Sequence, residues 1–177
     1  MQQLFLIVII TLYSLPAFCQ KDNNFKIENG ALIWQKVYES KLSPEGISNQ
    51  LKSKGVVKHV SLSNNMLTGD INTQANYKGA GFREMNIPMF VPRNDISCSV
   101  TINFKEGRYR VTLRNFKLIA NTEDPLTEIG ETSTLETYAL KKRNTAFKDN
   151  FLGAPSQIYN YTFNSIFLIK DIENDNW

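Results

Sequence analysis

The clearest pattern along the chain lies in residues 97–118. Val100, Ile102 and Phe104 alternate with Ser99, Thr101 and Asn103. Lys105-Glu106-Gly107 makes a tight turn, after which Tyr109, Val111 and Leu113 alternate with Arg108, Arg110, Thr112 and Arg114. Successive side chains of a strand point to opposite sides, so an apolar period of two on both arms of a glycine turn predicts a β-hairpin. One of its faces is buried and the other is polar. Sheets with one wet face are typically antiparallel.

Residues 20–29 are polar and read as a flexible lead-in. Residues 30–39 (GALIWQKVYE) are dense in β-branched and aromatic side chains and predict a strand. Ser43-Pro44-Glu45-Gly46 opens a short helix: Ser43 caps the free N–H groups, Pro44 suits the first helical position and Glu45 complements the positive end of the dipole. Ile47 and Leu51 share a face, and Gly55 stops the helix. Residues 56–63 predict a strand with Val56, Val60 and Leu62 on one side. Asn64-Asn65 turns the chain into a further strand, from Met66 to about Tyr77, interrupted at Gly69. Residues 78–94 are a long connection with an apolar cluster of Phe82, Ile87, Met89, Phe90 and Val91, expected to strap the core edge.

Past Asn121, Asp124-Pro125 and Gly130 mark a loop. Residues 132–150 carry a partial apolar stripe (Leu135, Tyr138, Ala139, Phe147) and read as a helix that Gly153-Ala154-Pro155 breaks. A last helix over about residues 156–172 is apolar around most of its circumference, so it is expected to be deeply packed. The stretch from Asp171 to Trp177 is acidic, and residues 173–177 read as a loose tail. The expected organisation is one α+β domain over residues 30–172.

The first nineteen residues change the picture. They are almost wholly apolar from Leu4 to Leu15, and no charged side chain precedes Lys21. A permanent membrane span needs about 20 apolar residues, and this run is shorter. Ala17 and Cys19 supply small residues where a signal peptidase cuts, so residues 1–19 read as an export signal peptide and Gln20 as the mature N-terminus. The expected location is the periplasm, the outer membrane or the medium, with no membrane span after cleavage. Two alternatives stay open. A lipoprotein signal would keep Cys19 as the acylated first residue, although the bulky Phe18 precedes it, and an uncleaved anchor lacks both length and a basic flank.

Removing residues 1–19 from the 177 leaves 158, enough for one domain with its own core. The formal charge of +3 does not by itself call for a nucleic-acid partner. Cleavage after Cys19 leaves Cys98 alone, so no internal disulfide forms, and Cys98 reads as a small buried hydrophobe.

GALIWQKVY, the SPEGI-initiated helix, LTGDI and TINFKEGRYRVTLRNF together resemble a family of exported Bacteroidota-type proteins. It is a domain of unknown function described as having a TATA-binding-protein-like (TBP-like) fold. The resemblance covers about residues 30–116. It implies an α+β architecture, a curved antiparallel β-sheet with helices packed on one face. It brings no catalytic residues with it, and the name of the fold does not license DNA binding.

Candidate chemistry is sparse. His59 is the single histidine, so a His-rich or Cys-rich zinc site has no ligand set, and a Ser–His–acid triad has no nucleophile elbow. No catalytic residue, metal site or cofactor is assigned. Glu39 with Glu45, Glu84, and Glu123 with Asp124 are carboxylates that a hydrolase of envelope or dietary polymers would need, yet acids are common in loops and helix starts. Gly79-Ala80-Gly81 lacks the strand-to-helix context of a phosphate-binding loop. The basic row stands out: Arg108, Arg110 and Arg114 share a strand face, with Lys105 near the turn. Either acids on neighbouring strands pair with them, at a worth of about 0–1 kcal/mol each, or they form an anion-binding strip. The expected role is a non-enzymatic binding or assembly module whose partner is an acidic envelope component or protein.

Overall fold

Residues 23–123 and 127–169 are described by a computed structural model. The expected signal peptide, residues 20–22 of the lead-in and the end of the chain from residue 170 lie outside them. Among the described residues, β1 (Phe25–Glu28) and β2 (Ala31–Glu39) lead into α1 (Pro44–Ser53). Then come β3 (Val57–Ser63), β4 (Met66–Gln74), β5 (Asn94–Lys105), β6 (Arg108–Ala120) and β7 (Thr132–Thr134). Three helices close the order: α2 (Leu135–Ala139), α3 (Asp149–Leu152) and α4 (Ala154–Phe167). The strands form one antiparallel sheet in the order β1-β2-β6-β5-β4-β3, with β7 on β6. The α+β class read from the sequence is the observed one.

The hairpin behaves as its pattern requires. Cys98, Val100 and Ile102 are buried on the same side as Tyr109, Val111 and Leu113, and Arg108, Arg110 and Arg114 are exposed on the other. The buried set of β6 then changes parity to Phe116, Leu118 and Ala120. An extra residue causes the change: Asn115 has φ of 57°, and Ser97 faces Lys117 while Ser99 faces Arg114. This is a β-bulge, and it hands the edge of β6 from β2 to β7. A second bulge lies in β3, where His59 and Val60 stand against Gly69 alone and His59 has φ of 52°. Gly69 therefore does not interrupt β4. A Cβ there would sit 2.9 Å from the Lys58 carbonyl oxygen, so the bulge needs a glycine opposite it. Val56, Val60 and Leu62 are partly buried against the core, but the fully buried residue of β3 is Val57, because the bulge shifts the register.

Other expectations need correction. Residues 25–28 are not a flexible lead-in but a strand whose pairing with β2 puts Phe25 against Trp34 and into the core. Nor are residues 132–150 one helix. Strand β7, α2, a 3-10 turn at Lys142–Asn144 and α3 divide them. Arg143 and Asn144 take positive φ, of 73° and 53°, which an α-helix cannot contain. Gly153-Ala154-Pro155 opens α4 rather than separating it, since Pro155 stands in the first turn, where a missing N–H costs nothing. α4 ends at Phe167, short of the 172 expected.

α4 seals the apolar side of the sheet. Phe163 packs its ring against Phe25, Trp34 and Phe116 at 5.5–6.2 Å between centroids. Polar groups fix its position. Asn160 Oδ1 accepts from Trp34 Nε1 at 2.9 Å and from Asn24 Nδ2 at 2.6 Å, and the Tyr38 hydroxyl donates to Asn164 Oδ1 at 2.8 Å. Lys54, at the end of α1, donates its ammonium to the Ile166 and Leu168 carbonyls at 2.7 and 3.0 Å. A cation there satisfies the open acceptors and the negative end of the α4 dipole. Ile87 and Val91 of the long connection are buried and Phe90 stacks on Tyr138 at 4.4 Å, so residues 78–94 do strap the core. Among the described residues no helix is long and apolar enough to cross a membrane.

Candidate functional site on the polar face

Alternation leaves the other side of the sheet open. Cross-strand register arranges it in rows. Met66, Asn103, Arg110 and Val37 form one, and Thr68, Thr101, Thr112 and Gln35 the next. In the second row Gln35 Nε2 donates to Thr112 Oγ1 at 2.9 Å. A third row brings Asp70 and Ser99 to Arg114. The middle of this face is therefore hydroxyl and amide, and its charges lie towards the two ends.

The four cations singled out by the sequence divide into two groups. Arg114 is engaged: its guanidinium donates to Glu28 Oε2 in an ion pair. Glu28 is on β1 and Arg114 on β6, with β2 between them, so the arginine stem crosses β2 beside Ile33. Ile33 is on the polar side yet 0% exposed, and an aliphatic stem overhead is what such a residue needs. The arginine's hydrogen bond and charge hold the Glu28 carboxyl below its ordinary 4.5. Arg114 thus acts as a cover.

Arg108, Arg110 and Lys105 are different. Among the described residues none of them has a carboxylate within ion-pair range. Glu39 faces Arg108 in register without closing a pair. The three cations line a groove of about 460 Å³ together with Asn64, Asn65, Asn103 and Val37. The β5–β6 turn places Lys105 opposite Arg108, and the β3–β4 turn, with Asn64 and Asn65 both at positive φ, brings two amides to the rim. Val37 is 52% exposed and gives the groove an apolar wall. Guanidinium forks, an ammonium and neutral amides are donors that suit an anion carrying further acceptors. A larger hollow on this face, about 680 Å³, is lined by charges of both signs (Asp70, Lys117, Glu136) and has no such preference.

Asn103, Asn64, Asn65 and Val37 were not among the site residues singled out from the sequence. Asn103 was within reach, because counting back from the hairpin turn sets it opposite Arg110. The others arrive through the pairing of β2 with β6 and of β4 with β5, which no local pattern announces.

The groups weighed for catalysis lie on different elements of the fold. His59 sits in the β3 bulge, 81% exposed, 3.6 Å from Asp70. Glu84 accepts a hydrogen bond from the Tyr77 hydroxyl at 3.1 Å in the long connection. Glu39 is in β2, Glu45 in the first turn of α1 and Glu123 beyond β6, so these carboxylates stand on separate elements, while Asp124 lies outside the described residues. Cys98 is buried, and burial pushes its thiol well above the ordinary range. Among the described residues no three His, Cys, Asp or Glu side chains are grouped to hold a metal ion.

No family model matches the chain, and no curated protein matches it. Two solved structures resemble it. One is a DUF4468 family protein from Bacteroides ovatus, with a TM-score of 0.48 and 14% identity, covering 85% of this chain and 94% of that one. The other is a TBP-like protein from Parabacteroides distasonis, with a TM-score of 0.49 and 14% identity, covering 80% of this chain and 94% of that one.

Proposed function

We propose that this protein is a non-enzymatic binding module of the cell envelope that holds an acidic partner on the open face of its sheet. One observation carries the reading. Of the four cations singled out by the sequence, Arg114 is paired with Glu28, whereas among the described residues Arg108, Arg110 and Lys105 have no carboxylate within ion-pair range around one groove. Like charges side by side on a strand and its hairpin partner destabilise the sheet unless a counter-charge relieves them. A bound anion supplies that relief, and the surrounding amides of Asn64, Asn65 and Asn103 add donors that discriminate between a bare counter-ion and a polar partner. The apolar residues 4–15 and the small residues before Gln20 support export.

The test uses fluorescein-labelled oligoglutamate and anisotropy. Arg108→Gln with Arg110→Gln should lower affinity at least about tenfold, the factor equivalent to about 1.4 kcal/mol, without lowering the unfolding midpoint. Arg114→Gln should have a small effect on binding. Equal loss from Arg114→Gln, or none from the double variant, would remove the groove from consideration. Mass spectrometry of the exported protein tests the compartment: a chain beginning at Gln20 is expected, and an acylated Cys19 would show a lipid anchor instead.

A further inference from the structure

The outer side of α4 has an unusual composition. Its 14 residues include no charged side chain, although the outward face of a surface helix usually carries several. Gln157, Asn160, Tyr161 and Asn164 fall at i, i+3, i+4 and i+7 and so share one face. That face, with Phe82 of the long connection, lines a hollow of about 400 Å³ on the helical side of the sheet. None of the described residues that line it is charged.

The hollow is held in shape from two sides. Asn160 Oδ1 accepts from Trp34 and Asn24, and Asn164 Oδ1 accepts from the Tyr38 hydroxyl. Each carboxamide is therefore oriented, its oxygen towards these donors and its nitrogen away from them. Opposite, the Asn76 N–H donates to Thr162 Oγ1 at 2.9 Å and pins the chain before the long connection to α4. The Phe82 N–H then closes back on the Tyr77 carbonyl at 2.9 Å. Gly79 lies against the edge of the Tyr161 ring: a Cβ there would stand 2.8 Å from Tyr161 Cε1 and 2.6 Å from Asn76 Nδ2. The first glycine of Gly79-Ala80-Gly81 thus lets the backbone come close enough to seat the ring. Tyr161 is fixed along that edge and still 42% exposed.

Oriented amides, aromatic rings and the lack of charge select a neutral polyhydroxyl ligand. A carboxamide presents a donor and an acceptor side by side, which matches neighbouring hydroxyl groups that each donate and accept. An aromatic ring has a negative face, which attracts the slightly positive C–H groups of a pyranose. At about 400 Å³ the hollow is within the range of small-molecule sites, roughly 300–1,000 Å³. We infer that it binds a neutral saccharide, with the Tyr161 ring against the C–H face of a sugar and the Asn164 amide nitrogen on its hydroxyls. This site does not depend on the anion groove, which lies on the other face of the sheet.

The test is a titration of the isotope-labelled full chain with maltotriose and with cellotriose, followed by amide NMR. At least one of them should bind with a Kd of about 1 mM or tighter. The Asn164 side-chain amide and the backbone amides of residues 79–82 should shift along the same saturation curve. Tyr161→Ala should weaken binding at least about tenfold, whereas Tyr161→Phe, which keeps the ring, should weaken it less than about threefold. Failure of both trisaccharides to bind, shifts centred elsewhere on the fold, or equal affinity in Tyr161→Ala would each overturn the inference. Tighter binding of the uncharged peptide Gly-Ser-Gly-Ser would overturn it too, by showing that the hollow receives polypeptide. Should Tyr161→Ala fail to fold, the shifts in the parent decide.

Discussion

Phe163→Ala probes whether α4 is seated as described. The ring is 0% exposed and is enclosed by Phe25, Trp34, Phe116 and Tyr159 at 5.5–6.2 Å. Truncating a buried phenylalanine costs about 3–5 kcal/mol, and the outcome within that range depends on how far the walls can collapse. Here they cannot move far. Three of the four neighbours stand on β1, β2 and β6, which are tied by strand pairing, and the fourth is on α4 itself. Each lost ring pair adds about 0.5–1.5 kcal/mol beyond area alone. The expected loss therefore lies at the upper end, about 4–5 kcal/mol, a large part of the roughly 5–15 kcal/mol that holds a domain together. With a urea slope of about 2 kcal/mol per molar, the midpoint should fall by about 2 M with the slope unchanged. Leu168→Ala, at a position 55% exposed, should cost under about 0.5 kcal/mol and serves as the control. A loss below about 1.5 kcal/mol for Phe163→Ala would show that the helix is not anchored on this cluster.

Three further outcomes are expected of the structure. Gly69→Ala should destabilise by about 1–3 kcal/mol in urea, because the added Cβ meets the Lys58 carbonyl oxygen at 2.9 Å and Val57 Cγ1 at 3.0 Å; a neutral result would deny the bulge. Cys98 should resist a thiol-specific disulfide reagent in the native protein and react on unfolding, since it is buried and its thiol is pushed up by burial; fast native labelling would contradict its place in the core. Arg114 lowers the Glu28 carboxyl, and a group whose folded value lies below its unfolded one stabilises the fold above that unfolded value and loses the contribution as pH falls through the folded one. The Glu28 carboxyl signal should accordingly titrate below 4.5 in the parent and return towards it in Arg114→Gln; identical midpoints would mean that the pair does not form in solution.

The sequence by itself determined the elements whose information is local. The hairpin was readable because alternation, a glycine turn and register follow from one another: once Lys105 faces Arg108, Asn103 must face Arg110. The start of α1 was readable for the same reason, with Ser43 Oγ accepting from the Gly46 N–H at 3.2 Å where the capping pattern put it. Even the parity change in β6 is written in the spacing from Leu113 to Phe116, although only the positive φ of Asn115 identifies it as a bulge.

Tertiary structure decided the rest. β1 has four residues and no persuasive pattern of its own; its stability comes from pairing with β2, and Phe25 is apolar for the sake of Phe163 and Phe151 on distant helices. Residues 132–150 carry a stripe that a helix would tolerate, but pairing with β6 and the positive φ at Arg143 and Asn144 cut it into pieces. The same holds for the site. Three arginines of one strand look alike in sequence, and the difference between them is Glu28, which is 86 residues from Arg114 along the chain and two strands away in the sheet. Electrostatic partnership acts through space, over a few ångströms, and local periodicity holds no record of which distant strand lies within that range.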